Sequence, residues 1–220
     1  MDNLKSNAYK YLKEKILSCE LLPGQKLSEK DLMDEIGVGR TPVREALLKL
    51  EQEDMVTIRP RAGTYVKPIA IETINELYQL RKIIEPATAV MVKEQIDNMR
   101  LLDYCDEFKR LADEAETDSF YKTNALDLEF HKYIVSCTQN NRLIEYFTTM
   151  MESVYRLSIY NALNMKNNAP DQTYAEHYAI AQAIVCGDDE QIRKTYLEHL
   201  SQSQFASITA ARMMHAVSAG

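Results

Sequence analysis

The chain has 220 residues, 45% of them hydrophobic and 27% charged, and a net charge of -7. That composition belongs to a globular protein long enough for two domains, and it excludes a disordered or low-complexity chain. The negative sum counts against a nucleic-acid partner until it is divided: residues 1–67 carry 12 Lys and Arg against 11 Asp and Glu, and residues 68–220 carry 14 against 22, so the acidity belongs to the second part.

The opening stretch, MDNLKSNAYKYLKEK, is polar and charged and lacks the apolar core of a signal peptide. No run approaches the roughly 18 uninterrupted apolar residues of a membrane helix. The expected location is the cytoplasm, with no membrane partner. Cys19, Cys105, Cys137 and Cys186 are scattered without a CxxC pair and read as reduced thiols acting as small apolar residues.

In chain order, Ala8, Leu12 and Ile16 form a helical stripe between Asn7 and Ser18, with the lysines mostly on the wet side. Leu22-Pro23-Gly24-Gln25 breaks it with a turn. Ser28 is placed to cap a second helix whose inner face is Leu32 and Ile36, and Gly37 to stop it in a left-handed conformation. Thr41-Pro42 predicts a third helix with Thr41 as its N-cap and Pro42 at its first position. Val43, Leu47 and Leu50 face inward there, which leaves Arg40 and Arg44 at the exposed N-terminal end, where an arginine fork can read guanine or hold phosphate. Surface ion pairs are the alternative for these two arginines. Met55–Ile58 and Thr64–Val66 are β-prone runs, and the tip between them carries Arg59, Arg61 and Gly63. Two helices, a turn and a basic hairpin make a winged helix-turn-helix, whose wing can enter a minor groove.

The run GRTPVREALLKLEQEDMVTIRPRAGTYV resembles the winged helix of the GntR superfamily of bacterial transcription regulators, and the resemblance covers essentially residues 5–67. It implies that Lys30, Arg40, Arg44 and Gly63 contact operator DNA, and Thr41, Arg59 and Arg61 join them as candidates. Many relatives carry Arg where this chain has Lys30; a lysine keeps the charge and loses the bidentate fork.

After Lys67-Pro68 the pattern is helical almost throughout, interrupted only by Pro86 and Pro170. Predicted helices cover Ile71–Glu94, with a kink at Pro86, then Leu101–Ala115, a third capped by Asp118 or Ser119 and ending near Cys137, Asn141–Leu163, and Tyr174–Cys186. A sixth starts at the capping-box-like Asp188-Asp189-Glu190-Gln191. The fold class is therefore mainly α: a winged helix-turn-helix over 1–67, then an all-helical bundle of about six helices over 68–220.

Three of the four histidines fall in that bundle, and the fourth, His215, lies in a tail and has no expected role. Asp127 and His131 share one helix face at i, i+4, and His177 and His199 come from later helices. Three imidazoles and a carboxylate brought together would bind a divalent metal such as zinc, nickel or manganese. Spacing alone leaves a surface hydrogen bond as the commoner outcome of such an Asp/His pair. The region 70–213 is similar to the FCD ligand-binding domain of the FadR subfamily, whose signature of Asp-x-x-x-His followed by two later histidines is matched by Asp127, His131, His177 and His199. That resemblance implies a metal site, zinc first, and a small organic-acid effector.

It also implies that Arg81, in LRKIIE, turns into the cavity to clamp a carboxylate, with Arg156 as a second candidate; a structural ion pair is the other reading of Arg81. The expected function is a ligand-responsive transcription regulator, a repressor in the first instance, binding palindromic double-stranded DNA as a homodimer, with no catalytic residues. The alternatives are a metal-dependent enzyme acting on a small organic acid, for which no motif supplies a general base, and a purely structural metal.

Overall fold

A computed structural model describes residues 2–113, 119–165 and 170–218, with side chains over 7–113, 120–163 and 172–213. The chain divides into two compact units, Met1–Ile69 and Ala70–Gly220.

The first unit runs α1 (Asp2–Leu17), β1 (Lys26–Leu27), α2 (Glu29–Ile36), α3 (Arg40–Gln52), β2 (Val56–Arg59) and β3 (Gly63–Val66). Its core forms where the helical stripe Ala8, Leu12 and Ile16 meets Leu32 of α2, Val43, Leu47 and Leu50 of α3, and Val56 and Val66 of the hairpin. The caps act as the residue types dictate: the Asp31 amide donates to Ser28 Oγ, and Gly37 closes α2 at φ 72°, ψ 32° with its N–H on the Met33 carbonyl. Glycine is needed there because a Cβ disfavours that backbone.

Two expectations shift. Helix α3 starts at Arg40, with Gly39 as N-cap and no side-chain cap bond, so Thr41 lies inside the first turn and Pro42 at the third position. Proline is tolerated there because the first four helical N–H groups lack partners in any case. The other shift is β1, two residues long and so invisible to periodicity. It pairs antiparallel with β3, Lys26 opposite Tyr65, giving a three-stranded sheet in the order β1-β3-β2.

The second unit contains, among the described residues, α4 (Ile71–Val92), α5 (Asn98–Asp113), α6 (Ser119–Ser136), α7 (Asn141–Met165), α8 (Pro170–Cys186) and α9 (Asp189–Ser218). Helix α4 packs along α9, α5 against α8 and α6 against α7, which puts the inner faces of α4, α6, α8 and α9 around one interior point. The two prolines sit differently in their helices. Pro86 lies inside a continuous α4, buried, while Pro170 opens α8 at the position where proline costs no hydrogen bond.

Asp188 caps α9 through the Glu190 and Gln191 amides, but only half of the capping box forms, since the Gln191 side chain donates forward to Thr195. Helix α9 runs on for 30 residues, so the segment of His215 is helical rather than a tail; the His215 side chain lies outside the described residues, as do Asp118 and the side chain of Ser119.

Candidate metal centre and nucleic-acid interface

Within the second unit, Asp127 and His131 leave the same face of α6, and His177 on α8 and His199 on α9 reach the same point. One donor atom from each lies within 4.8 Å of all the others. His131 and His177 are each 1% exposed and His199 6%, so the cluster is almost dry. The orientation of the rings is what matters chemically. His177 Nδ1 sits 2.7 Å from the Thr173 carbonyl, His199 Nδ1 2.8 Å from Glu176 Oε2, and His131 Nδ1 2.7 Å from Glu85 Oε2.

For His177 and His199 the oxygen acceptor at Nδ1 holds the proton there and turns the Nε2 lone pair inward, the arrangement that outer acceptors impose on metal-binding histidines, and for His131 the Glu85 carboxylate lies at the same distance without a formed hydrogen bond. His131 and His177 Nε2 stand 3.3 Å apart, His177 Nε2 is 3.0 Å from Asp127 Oδ1, and the buried His199 Nε2 has no hydrogen-bond partner. Lone pairs converging at that spacing repel unless a positive centre lies between them. Two donors on one zinc-sized ion sit roughly 3 Å apart, so the four residues fit such an ion.

The charges agree. Burial would raise the Asp127 carboxyl, but a proton on His177 Nε2 and the positive fields of His131, His177 and Arg81 outweigh it and hold the group well below the usual carboxylate range, and a bound cation would supply that positive charge in their place. Burial lowers His199 to about 4 against the opposing Glu176 bond, with the neighbouring histidines and Arg81 adding to the fall. The imidazole is thus neutral and available as a ligand. His177 stacks on Phe108 with ring centroids 4.3 Å apart, and Phe130 packs edge-on at 4.9 Å, fixing the ring plane.

Next to the cluster is a cavity of about 250 Å³ walled by Arg81, Asp127, His177 and His199 and otherwise mostly by polar side chains, among them Thr123, Asn124, Ser158, Gln172, Gln202 and Ser203, with Glu176 and Ala206 also on the wall. Arg81, 1% exposed, lines this cavity and makes the structural ion pair: its Nε donates to Glu85 Oε1 at 2.5 Å, while Nη2 has no hydrogen-bond partner. The pair is ionised. Burial alone would neutralise it, yet the Glu85 charge raises Arg81, and Arg81 with His131 pulls Glu85 down to about 2.

Arg156 does not join this wall. It is buried on α7, where Ser158, two residues on and so about 200° around the helix, faces the cavity instead. Glu85 and Glu176 were missed by sequence reasoning. Glu85 had a readable trace, being four residues after Arg81 on the same helix face; Glu176 had none, because its contact with His199 crosses between helices.

The first unit presents the other site. Arg40, Thr41 and Arg44 are exposed at the start of α3, and Lys30 is exposed on α2. Arg44 Nε donates to both oxygens of Glu29, at 3.0 and 3.1 Å, and Arg40 Nε lies 3.6 Å from the same carboxylate. The surface-pair alternative for these arginines is thus present, with Arg44 61% exposed. At the wing tip Arg61 adopts φ 64°, and Arg59 and Lys26 flank the Tyr65 ring at 5.2 and 5.8 Å. Gly63 has φ 118°, and a Cβ built on it would stand 2.9 Å from Lys26 Cε. Among the described residues Lys30, Arg59 and Arg61 have no carboxylate partner.

The family model for bacterial regulatory proteins of the gntR family matches residues 4–66, and that for the FCD domain matches residues 76–202. The chain is a GntR-family transcription regulator with an FCD domain. Among its relatives, the HTH-type transcriptional repressor RspR of Escherichia coli is 28% identical over 200 residues, covering 88% of this chain and 84% of that protein.

Two solved structures share the fold. A GntR transcriptional regulator of a Rhodococcus species superposes with a TM-score of 0.78 at 22% identity, over 94% of this regulator and 98% of that chain. Escherichia coli McbR/YncC superposes at 0.74 with 18% identity, over 95% and 98%. These relatives are regulators and not enzymes, which removes the metalloenzyme alternative. No helix among the described residues is long and apolar enough to cross a membrane.

Proposed function

We infer that this GntR regulator is a repressor that binds palindromic operator DNA as a homodimer and responds to a small organic acid held beside a divalent metal in the FCD domain. The observation that carries this reading is the meeting, beside one cavity, of four converging metal donors, three of them on its wall, and an arginine with an unpartnered Nη2. Asp127, His131, His177 and His199 would hold the ion, and three imidazoles with one carboxylate favour zinc, with nickel or manganese as substitutes. Bound there, the ion supplies a Lewis-acid anchor for a carboxylate. Arg81 offers charge-assisted hydrogen bonds to the same anion.

The polar wall, with hydroxyl and amide groups from Thr123, Asn124, Ser158, Gln172, Gln202 and Ser203, suits a hydroxylated acid better than an aliphatic one. Lys30, Arg40, Thr41, Arg44, Arg59, Arg61 and Gly63 form the DNA-binding set. One winged helix reads few base pairs, so two copies on a two-fold site supply the specificity. The effector acts by binding the DNA-competent and DNA-incompetent states with different affinity.

The test is a thermal-shift screen of dicarboxylates, hydroxy acids and sugar acids against chelator-treated and zinc-reloaded protein, followed by gel shift. A small acid that stabilises only the zinc form and changes DNA retention supports the reading. Zinc stabilisation with no response to any acid makes the ion structural and overturns the effector site.

A further inference from the structure

The way Glu85 distributes its two oxygens is unusual for an arginine partner. A carboxylate facing an arginine side-on satisfies Nε and Nη2 together, one oxygen each. Here Oε1 takes Nε at 2.5 Å, but Oε2 lies 2.7 Å from His131 Nδ1, within ion-pair reach although neither atom is engaged in a formed hydrogen bond. Arg81 Nη2 is likewise buried without a partner, on a residue that lines the cavity. Both side chains of the Arg81–Glu85 pair are 2% exposed and His131 is fully enclosed, so water cannot substitute for either contact. One negative charge is shared by two claimants, and its division between them decides how much of the arginine fork faces the cavity.

We propose that Glu85 is the positioning residue that links the metal cluster to the anion-binding arginine, so that filling either site raises the affinity of the other through Arg81, Glu85 and His131. This rests on the reading of the FCD domain as a metal-and-acid sensor and specifies its regulation. With Nε2 engaged on a cation, the His131 imidazole is a stronger Nδ1 donor and keeps Oε2 on its side. Arg81 then holds only Oε1 and presents Nη2 to a carboxylate. With Nε2 free, the Glu85 carboxylate can rotate back to close both Nε and Nη2, and the fork is withdrawn from the cavity. Linkage makes the effect reciprocal: an acid that occupies Nη2 leaves Oε2 to His131 and so holds the ligand histidine in its binding tautomer.

The full-length protein tests this with Co²⁺ as the metal, followed by its visible absorption, and acetate as the carboxylate, followed by thermal shift with and without Co²⁺. The wild type should bind acetate more tightly in the Co²⁺ form, by the about 5–150-fold of coupled sites. In Glu85→Gln, Co²⁺ affinity should fall by about 10–100-fold. The metal-free variant should bind acetate more tightly than the metal-free wild type, and the Co²⁺ dependence of acetate binding should shrink to what direct contact between acetate and Co²⁺ supplies. Opposite movements of the two affinities separate this role from a merely structural one, which would weaken both.

Coupling equal to that of the wild type in Glu85→Gln would mean that direct contact between acetate and the metal carries all of it, and would overturn the link. If that variant does not fold, Arg81→Lys keeps the buried positive charge without the fork: loss of coupling supports the link, and full coupling overturns it. A wild type that binds both probes independently also overturns the link, whereas one that binds neither overturns the sensor reading itself.

Discussion

The two units each contain a carboxylate shared between two cationic or proton-donating side chains, and the two differ in how much water surrounds them. Glu29 lies between Arg40 and Arg44, with Arg44 61% exposed and the Glu29 side chain 29% exposed. Glu85 lies between Arg81 and His131 in a nearly dry interior. In water the pair is weak and exchangeable, worth about 0–1 kcal/mol, so Glu29 can hold two arginines in place and release them to DNA. In the interior Arg81 and Glu85 cannot separate without exposing an uncompensated charge. The same chemistry thus makes a latch on the surface and a fixed joint in the core.

Breaking the joint should have the largest effect. Glu85→Ala strands the Arg81 charge and should destabilise the protein by about 3–5 kcal/mol in urea unfolding; a loss no larger than that of an exposed pair would erase the distinction. Next comes the metal cluster. In saturating zinc, at about 1,000 times its dissociation constant, the ion adds about 4 kcal/mol of stability. His177→Ala should lose most of that increment and most of the bound metal by elemental analysis, and full stoichiometry would remove His177 from the ligand set.

On the surface, Arg44→Ala should cost about 1–3 kcal/mol of sequence-specific DNA affinity with little change in melting temperature, and an unaltered gel shift would sink the assignment. The smallest effect belongs to Glu29→Gln. It should move stability by less than about 1 kcal/mol while strengthening DNA binding at low salt, because the arginines no longer have to leave a carboxylate; weakened binding would show that Glu29 orients them instead.

Much of this was legible in the sequence because local rules settled it. Ser28 and Gly37 mark their caps by type alone, Ala8, Leu12 and Ile16 show their face by spacing, and Asp127 with His131 gives half of the cluster at i, i+4. What escaped was set by contacts between elements. Strand β1 is too short to have a period and exists because β3 lies beside it. Arg156 looked like a cavity residue by charge, yet the rotation of α7 gives that place to Ser158. Pro170 read as an interruption and is a start, since proline breaks a helix interior and suits a first turn equally well. Glu176 and the division of the Glu85 oxygens belong to the packing of α8 on α9 and of α4 on α6, for which a linear pattern carries no signal.

The wing holds a constraint that crosses between strands. Position 63 is bound to glycine twice over, by a backbone at φ 118° and by the Lys26 stem, which passes 2.9 Å from where a Cβ would stand. Only the second of these can be relieved by changing residue 26. The dependence therefore runs one way: with glycine at 63 residue 26 can vary, whereas no change at 26 releases position 63 from its backbone.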